Sequence, residues 1–498
     1  VRQTSVTFRV IAIGLAAVAA FAAVPLSGAA QEVPSRQQAL ELLAHAAERH
    51  ISAGLEFRLR QEAGLLPAGS AIAAPRLAGL LTPGNVNVAD PDPSGPSFAT
   101  QSETMVISAG ATVVEAYNDS LADAQSGDFT GYSVSTDGGT TWVDKNAPPN
   151  PSFQNSSGDP VLATDSAGNI YLSMITSSGV GVAKMPAGSI SFNRWVDADA
   201  GTTGFADKPW LTAGRDPTGV RDNLYLTWTD FPFSGNPTLR AARSTDGGTT
   251  WQALSGFAIR NCNCQGTFPL VIPSTGKLLV FWENLNTPRS IQMKSSTDGG
   301  STWSATTTVT SVTKSTNHTD CFGRDTFRLP DTVHAVRNDE FPSAAVLGST
   351  VAVVWNDRRL GTSDIFVVQS SNAGLTWSPA RRVNTTIAGE QFQPGITADA
   401  RGFHVEWYSA DATNTLVTLV ARDVTNGIPG PEIPISAAFP VPRTNIGGGN
   451  QDGVVAGCYM GDYNQNFADG SATYYSWGDN RLSFANGDPD PNPFFAKR

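Results

Sequence analysis

The chain has 498 residues, with 33 Lys plus Arg against 44 Asp plus Glu and a formal net charge of −11. A surface this acidic repels nucleic acid and anionic membranes, and no basic block compensates for it. Polyanionic substrates are excluded on the same ground unless basic residues gather at the site.

Arg2 and Arg9 precede an apolar run over residues 10–24, and Ser27, Gly28, Ala29 and Ala30 follow. This layout predicts a secretory signal peptide over residues 1–30, cut near Ala30 or Gln31. It places the protein outside the cell or in a periplasm, with no membrane insertion after cleavage. Residues 31–84 read as a helical segment and linker. Ser35 with Gln38 fits a capping box, and Leu40, Leu43, Ala47, Ile51 and Leu55 predict one helix over 35–62. Gly64, Pro67, Gly69 and Pro75 end it. It is either a removable pro-segment or a strap on the main domain.

From residue 85 to 498 the pattern is all-β: short runs rich in Val, Ile, Thr and aromatics, separated by Gly, Asn, Asp and Pro. Ser-Thr-Asp-Gly-Gly-Thr-Thr-Trp stands at Ser135–Trp142 and at Ser244–Trp251. It recurs with one substitution at Ser296–Trp303 and in a worn form at Ser370–Trp377. A further copy is expected to have decayed within Ala183–Trp195. Four short strands repeated in about 50 residues is the arithmetic of a β-propeller. Its blades are expected at 101–150, 158–196, 206–252, 266–304, 339–378, 390–433 and 454–498, with Asn85–Ala89 supplying the last strand and closing the ring. Seven blades are expected, six being the alternative.

The repeated phrase explains itself without a ligand. Asp137, Asp246 and Asp298 can accept backbone N–H groups in a turn whose glycines tolerate positive φ. Trp142, Trp251, Trp303 and Trp377 can then plug the gaps between sheets. The phrase resembles the Asp box, or BNR repeat, of the sialidase-like propellers. That resemblance implies boxes between third and fourth strands, on the face opposite the ligand site, and an activity on glycans. It does not carry over a sialidase arginine clamp. The Phe/Tyr-Arg-Ile-Pro motif should precede the first box, yet residues 85–135 contain no arginine, and Phe327-Arg328-Leu329-Pro330 follows the third box.

With the boxes on the lower face, two sets of residues face the ligand side. Glu103, Asp159, Asp207 with Lys208, Asp339 with Glu340, and Glu390 begin inner strands. Asp119, Asp230, Glu283, Asp357, Asp411 and Asp479 end second strands, where Trp-x-Asp can also be a repeated turn device. The exceptions to the repeat are the better candidates. Asp357, Glu340, Tyr463 and Asp462 are the expected catalytic groups, with Tyr459 beside the last two. Arg358, Arg359, Arg481, Arg328, Asp207 and Lys208 are the expected substrate-binding groups, joined by Arg324. Glycosidic cleavage needs a pair of acids, and a guanidinium fork suits a carboxylated sugar.

Cys262, Cys264, Cys321 and Cys458 are an even set in an exported chain, so disulfides are expected. Cys262 and Cys264 stand so close that pairing with Cys321 and Cys458 is expected, with three connectivities open. A rival zinc site would use Cys262, Cys264, His318 and Cys321. Nothing in the sequence requires a cofactor; Asp90, Asp92, Asp488 and Asp490 could hold a structural calcium ion, or be solvated turns. The expected activity is that of a secreted glycan-acting hydrolase, its partner an extracellular glycan or glycoprotein. A non-catalytic glycan- or protein-binding propeller and a true exo-sialidase are the alternatives.

Overall fold

The computed structural model describes residues 35–498 apart from 46–48, 66–84, 90–99, 121, 123–125, 152–153, 200, 321–323, 329–334, 426, 442–459 and 484–488. The expected signal peptide, Cys321, Cys458, Tyr459, Asp90, Asp92 and Asp488 lie outside them.

The described chain is built of eight small antiparallel sheets in a propeller-like arrangement. Seven have four main strands and coincide with the expected blocks. The first runs Gln101–Ala109, Thr112–Asp119, Thr130–Ser135 and Val143–Asp144. The next five repeat this meander from Val161, Gly204, Cys264, Ser343 and Gln391. The seventh joins Phe467–Ala468, Thr473–Ser483 and Pro489–Lys497 to Val86–Asn87, whose Val86 pairs with Phe495. An unexpected eighth sheet of three strands (His318–Asp320, Arg324–Arg328, Ala335–Arg337) is inserted between the fourth and fifth. Inner strands touch their neighbours in chain order, and Phe467–Ala468 touches Gln101–Ala109.

Apolar residues from adjacent sheets fill the space between them. Val114 and Tyr132 meet Leu172 and Trp195, Tyr225 meets Trp282, and Tyr474 and Phe495 meet Val106 and Tyr117. Trp228, Trp282, Trp355, Trp407 and Trp477, all on second strands, are fully buried. Each such ring removes a large apolar area from water, worth about 3–5 kcal/mol by truncation. Down the middle runs a cavity of ≈ 360 Å³ walled by Met105, Leu162, Leu211, Phe268, Val346 and Phe467.

The repeated phrase forms the same turn each time, between third and fourth strands. Ser135 Oγ accepts from Gly139 N at 2.8 Å, and Asp137 accepts from Thr141 N at 2.9 Å and Thr141 Oγ1 at 2.7 Å. The copies at 244 and 296 repeat these bonds, and Asn372 replaces the acid at 370. Gly139 has φ 97°, and a Cβ there would stand 2.3 Å from the Phe495 ring. Trp142 and Trp303 lie 4.9 Å from Phe495 and Phe257, and Trp377 lies 5.9 Å from Phe281. Trp195 precedes the second sheet's fourth strand as Trp142 does the first's, so the decayed copy keeps its tryptophan.

Two expectations are corrected. The helix over 35–62 is two helices, α1 (Arg36–Ala44) and α2 (Ala53–Glu62). The capping box at Ser35 is present, but the chain leaves the helix and His50 takes φ 50°. Polar contacts of residues 50–52 with the sheets replace the helical bonds there. Second, Cys262 is joined to Cys264. The chain bends at Asn261, whose φ is 53°, and the two Cα atoms are 5.3 Å apart, short of the extended span for residues two apart and an ordinary span for a bridge. Thiolates at both positions, which the zinc site required, are thereby removed.

Candidate functional site

Strand register decides which end of the sheets is which. Gln101 pairs with Asp119 at one end of the first sheet, and Val113 pairs with Ser135 beside the box at the other. Inner strands therefore begin at the end away from the boxes, and there four of them open with an irregularity. Register slips occur between Ser102 and Met105, Asp207 and Trp210, Gln265 and Phe268, and Phe392 and Gly395. Proline occurs at such bulges because it has no N–H to offer a ladder; Pro209 and Pro394 do so here. Glu103, Asp159, Lys208 and Gln393 have φ of 53°, 55°, 47° and 50°. Left-handed backbone costs a non-glycine residue about 1–2 kcal/mol, and such strain gathers at functional sites.

The side chains held there form one buried ionic cluster. Lys208 Nζ donates to Asp462 at 2.5 Å, and Arg337 Nη2 donates to the same oxygen at 2.6 Å. Asp462 N donates to Glu103 at 3.2 Å, Lys208 N to Asp159 at 3.2 Å, and Gln265 Nε2 to Asp207 at 2.7 Å. Beside it, Arg289 joins Glu340 and Glu283, and Glu340 also accepts from Ser315 N at 2.7 Å. Lys208, Trp210, Phe341, Gln393, Asp462 and Tyr463 line a cavity of ≈ 40 Å³. Lys208 Nζ sits 5.0 Å from the Phe341 ring centre, and Trp210 and Tyr463 are 5.2 Å apart.

These surroundings drive the acids apart. Burial and then the charge of Asp159 push the Asp207 carboxyl up to about 7. Arg337 and then Lys208 overcome the burial of Asp462 and hold it below the ordinary carboxylate range. His50 and then Arg337 do the same for Asp339. Burial opposes charge on Lys208, but Asp462, Glu103, Asp159 and Asp207 together raise it above the usual lysine value. Glu283 is pushed well above its usual range by burial and by Glu340.

The N-terminal segment meets this cluster. Ser52 N donates to Asp207 at 2.8 Å, Gln265 Nε2 to His50 O at 3.3 Å, and Arg337 Nη2 to Ile51 O at 2.9 Å. His50 Nδ1 lies 2.5 Å from Asp339 Oδ1.

The expected site residues thus divide. Asp462, Tyr463, Asp207 and Lys208 come together at the channel mouth, and Glu340 lies in the adjoining arginine network. Asp357 is bonded at its own sheet corner by Trp355 Nε1 at 3.0 Å and Arg359 Nη2 at 2.6 Å, and by Thr313 N, just past the fourth sheet, at 3.0 Å. Arg481 is held by Asp479 in the same way, and Trp477 Nε1 donates to that acid at 2.7 Å. Arg358 pairs with Glu390 at 2.6 Å. Arg328 pairs through its backbone with Ala335, in the inserted sheet. Arg337, Gln265, Arg289 and His50 belong to the clusters and were not expected there. The signal for the mouth was the inner-strand start itself: Asp159-Pro160, Lys208-Pro209, Phe341-Pro342 and Gln393-Pro394 fall in register between sheets. His50 carries no comparable signal, since its place depends on the chain leaving a helix. Among the described residues no group of three or more His, Cys, Asp or Glu is placed to hold a metal ion.

No family model matches the chain, and no curated protein does. Solved structures resemble it at low identity. A protein of unknown function from Dyadobacter fermentans is 14% identical, with 66% of this chain and 94% of that one covered and a TM-score of 0.42. The α-L-arabinofuranosidase of Fusarium graminearum, solved with arabinobiose, is 10% identical over 68% of this chain and 92% of its own (TM-score 0.44). A Trypanosoma rangeli sialidase is 13% identical over 73% of this chain and 58% of its own (TM-score 0.43). No architectural or catalytic assignment is transferred from these likenesses.

Proposed function

We propose that the seven four-stranded sheets close into a seven-bladed propeller, exported from the cell, that hydrolyses an extracellular glycan at its central mouth. The observation that carries this reading is the split between buried acids. Asp207, raised to about 7, is poised to hold a proton near neutral pH and give it to a leaving oxygen. Asp462, held ionised by Lys208 and Arg337, can stabilise or attack the sugar's positive centre. Paired carboxyl groups with separated pKa values are what acid–base cleavage of a glycoside requires. Trp210, Phe341 and Tyr463 offer apolar faces to sugar rings. Arg337, Arg289 and Arg358 each hold a carboxylate of this chain, which supports a neutral glycan over a sialic acid.

The test is a panel of neutral and acidic oligosaccharides, with products read by mass, on the whole chain and on chain cut after Leu65. Product is expected from chain that has lost the segment before residue 66, and its rate is expected to fall at least about a hundredfold in Asp462→Asn and Asp207→Asn with folding retained. A non-catalytic glycan-binding propeller is the second reading, favoured by the peptide segment against the mouth. Saturable binding without product would establish it and end the hydrolase reading.

A further inference from the structure

We propose that residues 49–63 are an autoinhibitory strap: His50–Ser52 stands where ligand would stand, and the mouth opens when the strap is released. This rests on the reading of the mouth as a ligand site.

Space is the first argument. The cavity beside Lys208, Asp462 and Tyr463 measures ≈ 40 Å³, whereas ligand pockets run to about 300–1,000 Å³ and one water in liquid takes about 30 Å³. As it stands this space holds water and no sugar ring, and the strap fills the adjoining side of the cluster, at Asp207, Gln265 and Arg337. Polar contacts are the second. His50 O, Ile51 O and Ser52 N are the groups bound by Gln265, Arg337 and Asp207. All three belong to the strap's main chain, so the cluster treats the segment as a set of donors and acceptors, as it would a polar ligand.

The third argument is what the strap leaves undone. Oδ1 of Asp207, Oδ1 of Asp462 and Oε1 of Gln393 are buried without a hydrogen-bond partner. These atoms are left to accept hydrogen bonds from whatever takes the strap's place. Its anchorage, finally, is peripheral. Ile51, Leu55, Leu59 and Ala63 pack on Ile175, Phe205 and Phe231, at the upper ends of the second and third sheets. Arg58 is buried yet donates to two carbonyls, Thr176 O at 3.0 Å and Ser177 O at 2.6 Å, not to a carboxylate. The sheets pair and pack among themselves without the strap.

The test inserts a specific protease site after Leu65 in the whole chain and follows the cut protein by size exclusion, melting and amide hydrogen exchange. The fragment is expected to stay bound in the wild type and to leave in Leu59→Asp or, more mildly, in Arg58→Ala. On its release the remainder keeps a cooperative melt, and exchange at Lys208–Trp210 and Gln265–Thr267 rises about tenfold or more. Loss of the cooperative melt on release would make the segment part of the core and overturn the proposal. Retention of the fragment in both variants, or unchanged exchange at the mouth, would overturn it equally. Release with raised exchange but no glycan bound or cut leaves the strap standing and removes the glycan reading alone.

Discussion

Aspartates at the two ends of the sheets have opposite fates. In the box turns, Asp137 and Asp298 are satisfied by Thr141 and Thr302 of their own turns, whose N–H and O–H bonds hold both acids down at about 2. At the mouth, Asp207, Asp159, Asp339 and Asp462 come from different sheets, are buried together, and depend on Lys208, Arg337 and His50. A local turn can be copied blade after blade because it needs nothing from elsewhere. The mouth cannot be copied, because each of its acids has a different partner. Repetition marks structure, and departure from it marks the place where chemistry is possible.

Removing one acid from each end should therefore have unequal effects. Asp462→Ala strands Lys208 and Arg337 as buried cations, and breaking such a pair costs about 3–5 kcal/mol. The expected outcome is a midpoint in urea lowered by that amount, with any turnover abolished. Asp298→Ala leaves an exposed turn, and its midpoint should move far less. Equal shifts would mean the mouth cluster is no more interdependent than a turn.

The pH response should separate the two ends by sign. A carboxyl raised to about 7 in the folded protein, as Asp207 is, favours folding below its unfolded value near 4. That contribution is lost as pH rises through 7. Asp137 and Asp298, depressed when folded, contribute above about 4 and lose it on acidification. Asp207→Asn abolishes the first effect and leaves the second. Unfolding free energies of variant and wild type should thus diverge in the variant's favour between pH 5 and pH 8, on the order of 3 kcal/mol at full extent. A difference constant with pH would show that Asp207 is ionised throughout.

The same division explains what the sequence disclosed. The boxes, the sheet blocks and the pairing of 85–89 with the last sheet were legible, because local turn chemistry and strand alternation are written in consecutive residues. Asp462 and Tyr463 stood out in the sequence as exceptions to the repeat, and Asp207 with Lys208 as an inner-strand start. Asp357, Arg359 and Arg481 looked like exceptions too. Each arginine closes a loop on an acid two residues back and stacks on a ring, with Arg359 4.7 Å from Phe366 and Arg481 4.5 Å from Phe494. That second turn device is visible once the Trp-x-Asp register is read through to the arginine. Arg337 and His50 were beyond reach. The first lies on an inserted sheet and the second at a helix break, and only tertiary contacts place either one. The bridge between Cys262 and Cys264 depends likewise on a local bend of the backbone that spacing alone does not fix.

The smallest expected effect tests the box in the part that is buried. Ser296 Oγ accepts from Gly300 N at 2.8 Å and donates to Asp298 at 2.8 Å, with the serine only 2% exposed. Ser296→Ala leaves the Gly300 N–H buried without an acceptor, a loss of about 1–2 kcal/mol. Ser244→Ala and Ser135→Ala should match it, since all three turns share the same bonds. Ser370→Ala should cost no more, although Asn372 stands there in place of the acid, because Gly374 N still bonds the serine at 2.8 Å. Four equal shifts in urea midpoint would show the serine, not the aspartate, to be the constant element of the turn. A marked drop confined to the three Asp-containing copies would return that role to the carboxylate, and with it the only feature the two ends of the sheets would then share.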